Sequence, residues 1–293
     1  MPLNVNICPL CNDTQSALFD QRKFRGYQVS NRLCLNCGLV YQSPRMSEDE
    51  LNSFYQKEYR QVYQGSENPI QKDLSVQKER SGFVIKVLQD NGVENIDHHL
   101  DIGCSSGILL ERVREEFQCQ VVGIEPGDAY RSYAESRGLK VYATLEDAGH
   151  GNEIPFDLIT MIHVLEHLPD PVDYLNQLKT MWLTSAGVLL IEVPNLYAHD
   201  SFEVAHLTSF SRFTLVEMLK KAGYAIKGLL KHGRPRSNMI PLYITLLAIP
   251  SINSHERINR ERGIRMKRRA GIAHRRILER LFPKQAWLSE SNG

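Results

Sequence analysis

HHLDIGCSSGILLERVREEFQCQVVGIEP, residues 98–126, is the stretch on which the fold turns. It reads as a short strand over 100–102, a glycine-rich turn, a helix over 108–117 and a second strand over 121–124. Asp101, Gly103, Ser105 and Gly107 fall between the first strand and the helix. Glycines there let the backbone approach a ligand, and the helix N-terminus offers free N–H donors to a carboxylate. Glu125 closes the second strand, 18 residues after Gly107, where a carboxylate can accept both hydroxyls of a ribose. A dinucleotide enzyme would place an acid in the same way. GCSSG, however, runs GxxxG rather than GxGxxG, and an acid also precedes the glycines.

The alternation continues downstream. A helix is expected over 129–137 and strands over 141–142, 157–163 and 188–193, with a helix over 171–183 between the last two. A helix over 214–222 and a strand over 225–230 follow. The expected fold class is α/β, a Rossmann-like, doubly wound and mostly parallel sheet with helices on both faces. Ligands of such sheets sit at the carboxyl ends of the strands.

Upstream, Cys8 and Cys11 form one CxxC pair, and Cys34 and Cys37 another. Two such knuckles complete a closed four-sulfur site of the kind zinc favours, and Gly38 fits the tight turn after the second. Rubredoxin-like iron and four unligated buried cysteines remain open alternatives. SEDELNSFYQKEYRQVY, residues 47–63, opens on a capping box, Ser47 with Glu50. A loop over 65–75 and a helix over 74–91 lead into the glycine turn. The expected units are a zinc-ribbon-like module at 1–45, a helical linker at 46–73, a cofactor domain at 74–232 and an apolar then basic helical tail at 233–293.

The net charge of +1 conceals an asymmetry: residues 251–293 carry 11 Lys+Arg against 4 Asp+Glu, and the remainder 24 against 30. The tail has three readings. It is a solvated helix with one apolar stripe on the domain, an interfacial membrane anchor formed with the apolar run 240–252, or a set of arginines gripping a phosphate. That apolar run is too short to span a bilayer and holds Pro241 and Pro250. No aromatic interleaving points to nucleic acid, so no nucleic-acid partner is expected. Without a basic, then apolar leader at the N-terminus, the expected location is cytoplasmic, with peripheral membrane contact through the tail left open.

DIGCSSG (101–107), GIEP (123–126), FDLITMIHVLEHLPDP (156–171) and AGVLLIEVPN (186–195) occur in order, and together they resemble a class I S-adenosylmethionine-dependent methyltransferase over residues 74–232. CPLC followed by CLNCGLVYQSPRMSEDELNSFY resembles the zinc-binding head of methyltransferases from bacterial sugar and surface-polysaccharide pathways. The resemblance implies S-adenosylmethionine as cofactor, with its methionine end near Asp101, Gly103, Ser105 and Gly107 and its ribose on Glu125. It implies adenine beside Thr144 and Leu145 and the methyl group near His163, with structural zinc in the head. The implied acceptor is a small or carbohydrate-type molecule, a nucleotide sugar or polysaccharide intermediate. A lipid substrate and a non-catalytic scaffold are the alternatives.

Methyl transfer needs a base only for a poorly ionised nucleophile. Candidates are His163, Glu166, His167, His199 and His206; HVLEH is not the HExxH of a zinc protease. His206, in EVAHLTSFS (203–211), matches the last histidine of the Tyr-His-Glu-His stretch of sugar C-methyltransferases. Glu203, Val204 and Ala205 stand where that stretch has its other members, so His206 and His163 are the catalytic candidates without the C-methylation partners.

Overall fold

The protein is described here from a computed structural model covering residues 3–66, 68–151, 155–200, 202–252 and 257–288. The N-terminal segment folds as β1 (Ser16–Phe24), β2 (Tyr27–Cys34) and β3 (Val40–Gln42). These three are antiparallel neighbours, and the cysteine knuckles lie at one end of them. Helices α1 (Glu48–Lys57) and α2 (Tyr59–Gln64) follow, α1 starting at the Ser47–Glu50 capping box, and α3 (Gln71–Asp90) then leads to the main sheet.

That sheet is built from β4 (His98–Ile102), β5 (Gln120–Ile124), β6 (Lys140–Tyr142), β7 (Phe156–Ile162), β8 (Leu183–Pro194), β10 (Tyr224–His232) and β11 (Tyr243–Pro250). The two-residue β9 (Thr208–Ser209) joins the N-terminal sheet instead, pairing with β3. The seven strands lie in the order β10-β11-β8-β7-β4-β5-β6. Four pairings are parallel, and β11 runs antiparallel to both β8 and β10, so the sheet is mixed. Between the strands lie α4 (Ile108–Phe117), α5 (Asp128–Ser136), α6 (Leu145–His150), α7 (Pro171–Gln177) and α8 (Arg212–Lys221). Successive residues of β8 serve opposite faces. Leu190 packs with Val84, Leu88, Leu110 and Ala134 from α3, α4 and α5, whereas Leu189 and Ile191 pack with Leu175, Leu215 and Met218 from α7 and α8.

Two boundaries differ from the sequence expectation. The apolar run 240–252, read as the start of the tail, supplies β11, whose residues Tyr243–Ala248 are all buried between two strands. A strand covered on both faces shows no alternation, so periodicity could not tell it from a tail segment. Segment 46–73 is more than a linker: Phe54, Tyr55, Tyr59, Val62 and Tyr63 pack with Val29, Val204 and Ala205.

The cysteine module and the sheet domain share a core. Leu10, Leu39 and Tyr41 pack in the same cluster as Phe210 and Leu215. Lys221 Nζ donates to the Leu10 carbonyl at 2.6 Å, and Glu261 N donates to the Cys37 carbonyl at 3.0 Å. After β11 the chain crosses back to α9 (Ile264–Leu281) and the short α10 (Pro283–Ala286). Gly271, which on propensity alone weakens α9, is where its backbone meets the Tyr197 carbonyl; a Cβ there would lie 2.0 Å from that oxygen. Among the described residues, no helix is long and apolar enough to cross a membrane.

Candidate active site

The turn after β4 is held from three sides. Gly103 N and Cys104 N donate to the Ile124 carbonyl at 2.8 and 3.0 Å. Ser105 N donates to Glu125 Oε2 at 2.9 Å, and Gly127 N donates to Oε1 of the same carboxylate at 3.0 Å. From α3, Gln77 accepts from Ser106 Oγ at 2.5 Å. Gly103 and Gly107 have φ of +74° and +78°, and neither has room for a side chain. A Cβ on Gly107 would lie 2.3 Å from Leu139, and one on Gly103 2.6 Å from Val164. The second contact places the turn directly against the loop after β7.

Asp101 is buried beneath the turn. Thr160 Oγ1 donates to Asp101 Oδ1 at 2.6 Å, and His99 Nε2 lies 2.8 Å from the same hydroxyl. The threonine proton goes to the carboxylate, so His99 supplies its own N–H to Thr160. Burial drives His99 down to about 3, keeping it neutral. Burial pushes Asp101 up to about 7; the Thr160 hydrogen bond opposes this and the Glu125 charge adds to it. Thr144 caps α6 by accepting from Asp147 N at 3.1 Å, and Leu145 follows it, both just beyond β6. Glu125 N donates to the Tyr142 carbonyl, so these positions share one sheet edge.

His163 follows β7 with φ of +57°, a left-handed conformation that costs a non-glycine residue energy and places the ring at the strand end. Its Nδ1 lies 3.2 Å from Glu166 Oε1, and its Nε2 3.4 Å from Glu192 Oε1. Burial and Arg80 oppose a charged ring, but the two carboxylates outweigh them and raise its pKa. Glu192, on β8, is wholly buried and also faces Arg80 Nε at 3.2 Å and His232 Nε2 at 3.3 Å, while Thr245 Oγ1 donates to it at 3.0 Å. Burial would raise this carboxyl, yet Arg80 and the two histidines hold it well below the usual range. Tyr243 lies beside the group, with the Arg80 guanidinium 5.1 Å from its ring centroid and the His163 ring at 5.0 Å.

The loop from Val164 then turns through a 3-10 segment, Leu165–His167. His167 Nδ1 lies 2.9 Å from the Ala205 carbonyl and donates to it, since a carbonyl can only accept. Burial lowers His167 to about 4, so the ring is neutral with Nε2 free to accept a proton. Its ring meets His206 edge-on at 4.8 Å and faces Tyr55 and Tyr59 at 5.9 and 6.0 Å. His206 Nε2 is 3.7 Å from Glu203 Oε2, so a carboxylate stands beside this histidine from three residues upstream. Tyr63 Oη accepts from Ala205 N at 3.4 Å. Glu166 Oε2 is buried without a hydrogen-bond partner, although burial is overcome by the surrounding histidines and the carboxyl sits at about 2. Such an orphaned acceptor is costly unless an incoming donor or cation satisfies it.

Two groups of metal-type donors occur among the described residues: Cys8, Cys11, Cys34 and Cys37, and the trio Glu166, His167 and His206. None of the six cysteines is in a disulfide. Cys8 and Cys37 sulfurs are 3.6 Å apart and Cys11 and Cys34 sulfurs 3.4 Å, and all four sulfurs lie within 4.8 Å of one another. A tetrahedral ion with bonds of about 2.3 Å places sulfurs about 3.8 Å apart, so the set fits zinc. The module reaches the other site through the backbone. β3 pairs with β9, and Gln42 N donates to the Leu207 carbonyl at 2.8 Å, one residue after His206. Cys34→Ser is therefore expected to reduce bound metal from about one ion per chain to a small fraction by elemental analysis. It should also expose residues 8–45 to limited proteolysis.

A family model described as a methyltransferase domain matches residues 76–227, just over half of the chain. The chain belongs to that family. Among its curated relatives, the ubiquinone biosynthesis O-methyltransferase of Actinobacillus pleuropneumoniae serotype 7 is 34% identical over 141 residues, 44% of this chain and 53% of the relative. The protein of the same name from Vibrio campbellii is 32% identical over 95 residues, 30% of this chain and 40% of the relative. The chain thus spans about half, or less, of these relatives' lengths. The plantazolicin methyltransferase BpumL, solved with SAH, shares the fold with a TM-score of 0.51 at 13% identity, covering 69% of this chain and 94% of that one.

In this methyltransferase domain the glycine turn, Asp101, Glu125, Thr144 and Leu145 lie at the carboxyl ends of β4–β6; His163 follows the neighbouring β7, and His206 meets His167 of the loop after it. The matched segment contains Arg80 and Glu192 but stops before His232 and Tyr243, which close the same buried group from β10 and β11. Sequence reasoning missed Arg80, Glu192, His232, Tyr243 and the α1–α2 tyrosines. Only Glu192 carried a local signal, as one carboxylate inside the apolar strand GVLLIEVP.

Proposed function

We propose that the chain is an S-adenosylmethionine-dependent methyltransferase that alkylates a hydroxyl oxygen of a small acceptor, with His206 as the base and zinc in the four-cysteine site. The observation that carries this reading is the orphaned Glu166 Oε2, in a carboxylate grouped with neutral His167 and with His206 and carried by the loop whose Val164 abuts Gly103. A second hydroxyl of the acceptor, beside the one that is methylated, would satisfy that oxygen, and the tyrosines of α1 and α2 supply an aromatic wall for the rest of the acceptor. Asp101, Gly103, Ser105, Gly107 and Glu125 would hold the methionine and ribose parts of the cofactor, with Thr144 and Leu145 beside adenine. When bound, S-adenosylmethionine supplies an electrophilic methyl group on its sulfonium.

The chain's own residues then have separate tasks. His206 would take the proton of the hydroxyl to be methylated, and Glu203 would steady the imidazolium so formed; the cofactor would supply the methyl carbon and keep the electron pair of the broken C–S bond on its sulfur. His163 has a carboxylate beside each nitrogen, 3.2 Å from Nδ1 and 3.4 Å from Nε2, and the two together favour its protonated ring. It keeps Glu166 in place and is not the base. Nucleotide sugars are the first acceptor class to assay, in keeping with the zinc head. The names of the relatives add hydroxylated intermediates of ubiquinone biosynthesis as the second.

Calorimetric titration of the metal-replete protein with S-adenosylmethionine tests the cofactor half, and methyl incorporation into the two acceptor panels tests the other. Absence of cofactor binding would overturn the proposal. The Asp101 carboxyl gives a sharper check. A cationic ligand favours its ionised form, so cofactor affinity should rise as pH increases through about 7, where this buried group loses its proton. The ratio of wild-type to Asp101→Asn affinity should climb over the same interval, and a ratio independent of pH would remove Asp101 from the cofactor site.

A further inference from the structure

We propose that the outward face of α9 docks on an anionic lipid surface. The inner face of the helix is fully engaged. Ile264 is buried, Gly271 abuts the Tyr197 carbonyl, Arg268 reaches the His199 carbonyl at 3.2 Å and Asp200 at 2.9 Å, and Arg275 reaches the Ala198 carbonyl at 3.0 Å. On the opposite side Met266, Ala270, Ala273, Ile277 and Leu281 recur every three or four residues, which makes a second apolar stripe. Met266 is 72% exposed, Ile277 54% and Leu281 63%, with the exposed Phe282 at its end. A helix on a protein surface needs one apolar face for its core, and among the described residues nothing covers this one.

The flanking charge identifies the occupant. Arg269, Arg276 and Arg280 are exposed along one edge of the stripe, while Lys267 on the other is paired with Glu261 at 2.9 Å. From 262 to 288 the only acid is Glu279, which is turned inward to Arg275 and the Trp287 indole N–H. A second copy of the chain would set these arginines against their own kind. A nucleic acid would meet the arginines but leave methionine, isoleucine and leucine side chains against phosphate. A bilayer interface offers phosphate to the arginines and acyl chains to the stripe between them. The run 240–252 takes no part, because most of it is strand β11. The contact rests on α9 alone and is therefore weak and reversible.

The test is co-sedimentation of the full chain with phosphatidylglycerol-rich vesicles and with pure phosphatidylcholine vesicles. Two double variants, Ile277→Glu with Leu281→Glu and Arg269→Glu with Arg276→Glu, alter only exposed side chains, and unchanged melting temperature certifies their fold. The wild type should sediment with the anionic vesicles, release in high salt and ignore phosphatidylcholine. The arginine variant should partition at least ~25-fold more weakly, at about fivefold per charge, and the apolar variant should also detach. No partition of the wild type, or equal partition of either variant, overturns the proposal. So does a wild-type dimer that the apolar variant splits, or duplex binding lost with the arginines alone. Because the readout is partition and not methyl transfer, its failure is distinguishable from failure of the proposed activity.

Discussion

Glu192→Gln should lower the melting temperature by roughly 10 °C, the largest loss of stability expected from a single change in this chain. Glutamine keeps the shape of the side chain but removes the charge that Arg80, His163 and His232 face from three elements, α3, the loop after β7 and β10. Removing one partner of a buried ion pair leaves the others uncompensated and costs about 3–5 kcal/mol. In a domain of this size each kcal/mol moves the midpoint by about 2–4 °C. The pH dependence is signed. The folded-state carboxyl is depressed, so its stabilisation is complete above the unfolded value and fades as pH falls through the folded one. The gap between wild type and Glu192→Gln should therefore be widest above about pH 5 and narrow in acid. His163 works in the other direction, since its raised pKa contributes fully below the unfolded value and less as pH rises through the folded one. Thermal melts across pH check both signs, and a variant with wild-type stability at neutral pH would show that Glu192 is not coupled to the groups around it.

That buried group also shows what was hidden from the sequence. The glycine turn was legible because its constraints are local. Gly107 must be glycine to clear Leu139, Asp101 and Glu125 end adjacent strands, and strand, turn and helix follow within 27 residues, 98–124. The four cysteines were legible for the same reason, two knuckles of fixed spacing. Arg80, Glu192, His232 and Thr245 come together only because β11 inserts between β8 and β10, and β11 was taken for tail. Likewise the carboxylate beside His206 was sought one residue upstream, where Ala205 stands. The chain between β8 and β9 turns so that Glu203, three residues upstream, reaches the ring instead. Periodicity reports which side of an element is buried, and it carries no information about which distant element will cover it.

The cysteine head and the candidate base are linked in a way that motif spacing does not show. Tyr41 pairs with Thr208 and Val40 with Ser209, so the strand leaving His206 is an edge strand of the head's own sheet. The tyrosines of α1 and α2 close the opposite side through Tyr63 and Ala205. His206 is thus fixed by backbone pairing on one side and aromatic packing on the other, neither of which comes from the sheet that carries the glycine turn. This division of labour predicts that a metal bound in the head would affect turnover more than cofactor affinity.

His206→Ala should reduce kcat by about 10²- to 10⁴-fold, the usual worth of a positioned general base, while S-adenosylmethionine affinity changes little. The separation follows from position. The residues expected at the cofactor belong to the β4–β6 edge, whereas His206 touches His167 and Glu203. Burial holds the His167 ring at about 4, which makes it a weak base near neutral pH. Glu203→Gln should give a smaller defect, since it removes the partner of the imidazolium and leaves the base. The trio Glu166, His167 and His206 could instead hold a divalent cation, and a chelator separates the two roles. With His206 as base, turnover survives chelation that leaves the cysteine-bound metal in place, and added imidazole partly restores His206→Ala. Loss of turnover on chelation, recovered with magnesium or zinc, would reassign His206 as a ligand; near-normal turnover in His206→Ala would remove it from the chemistry altogether.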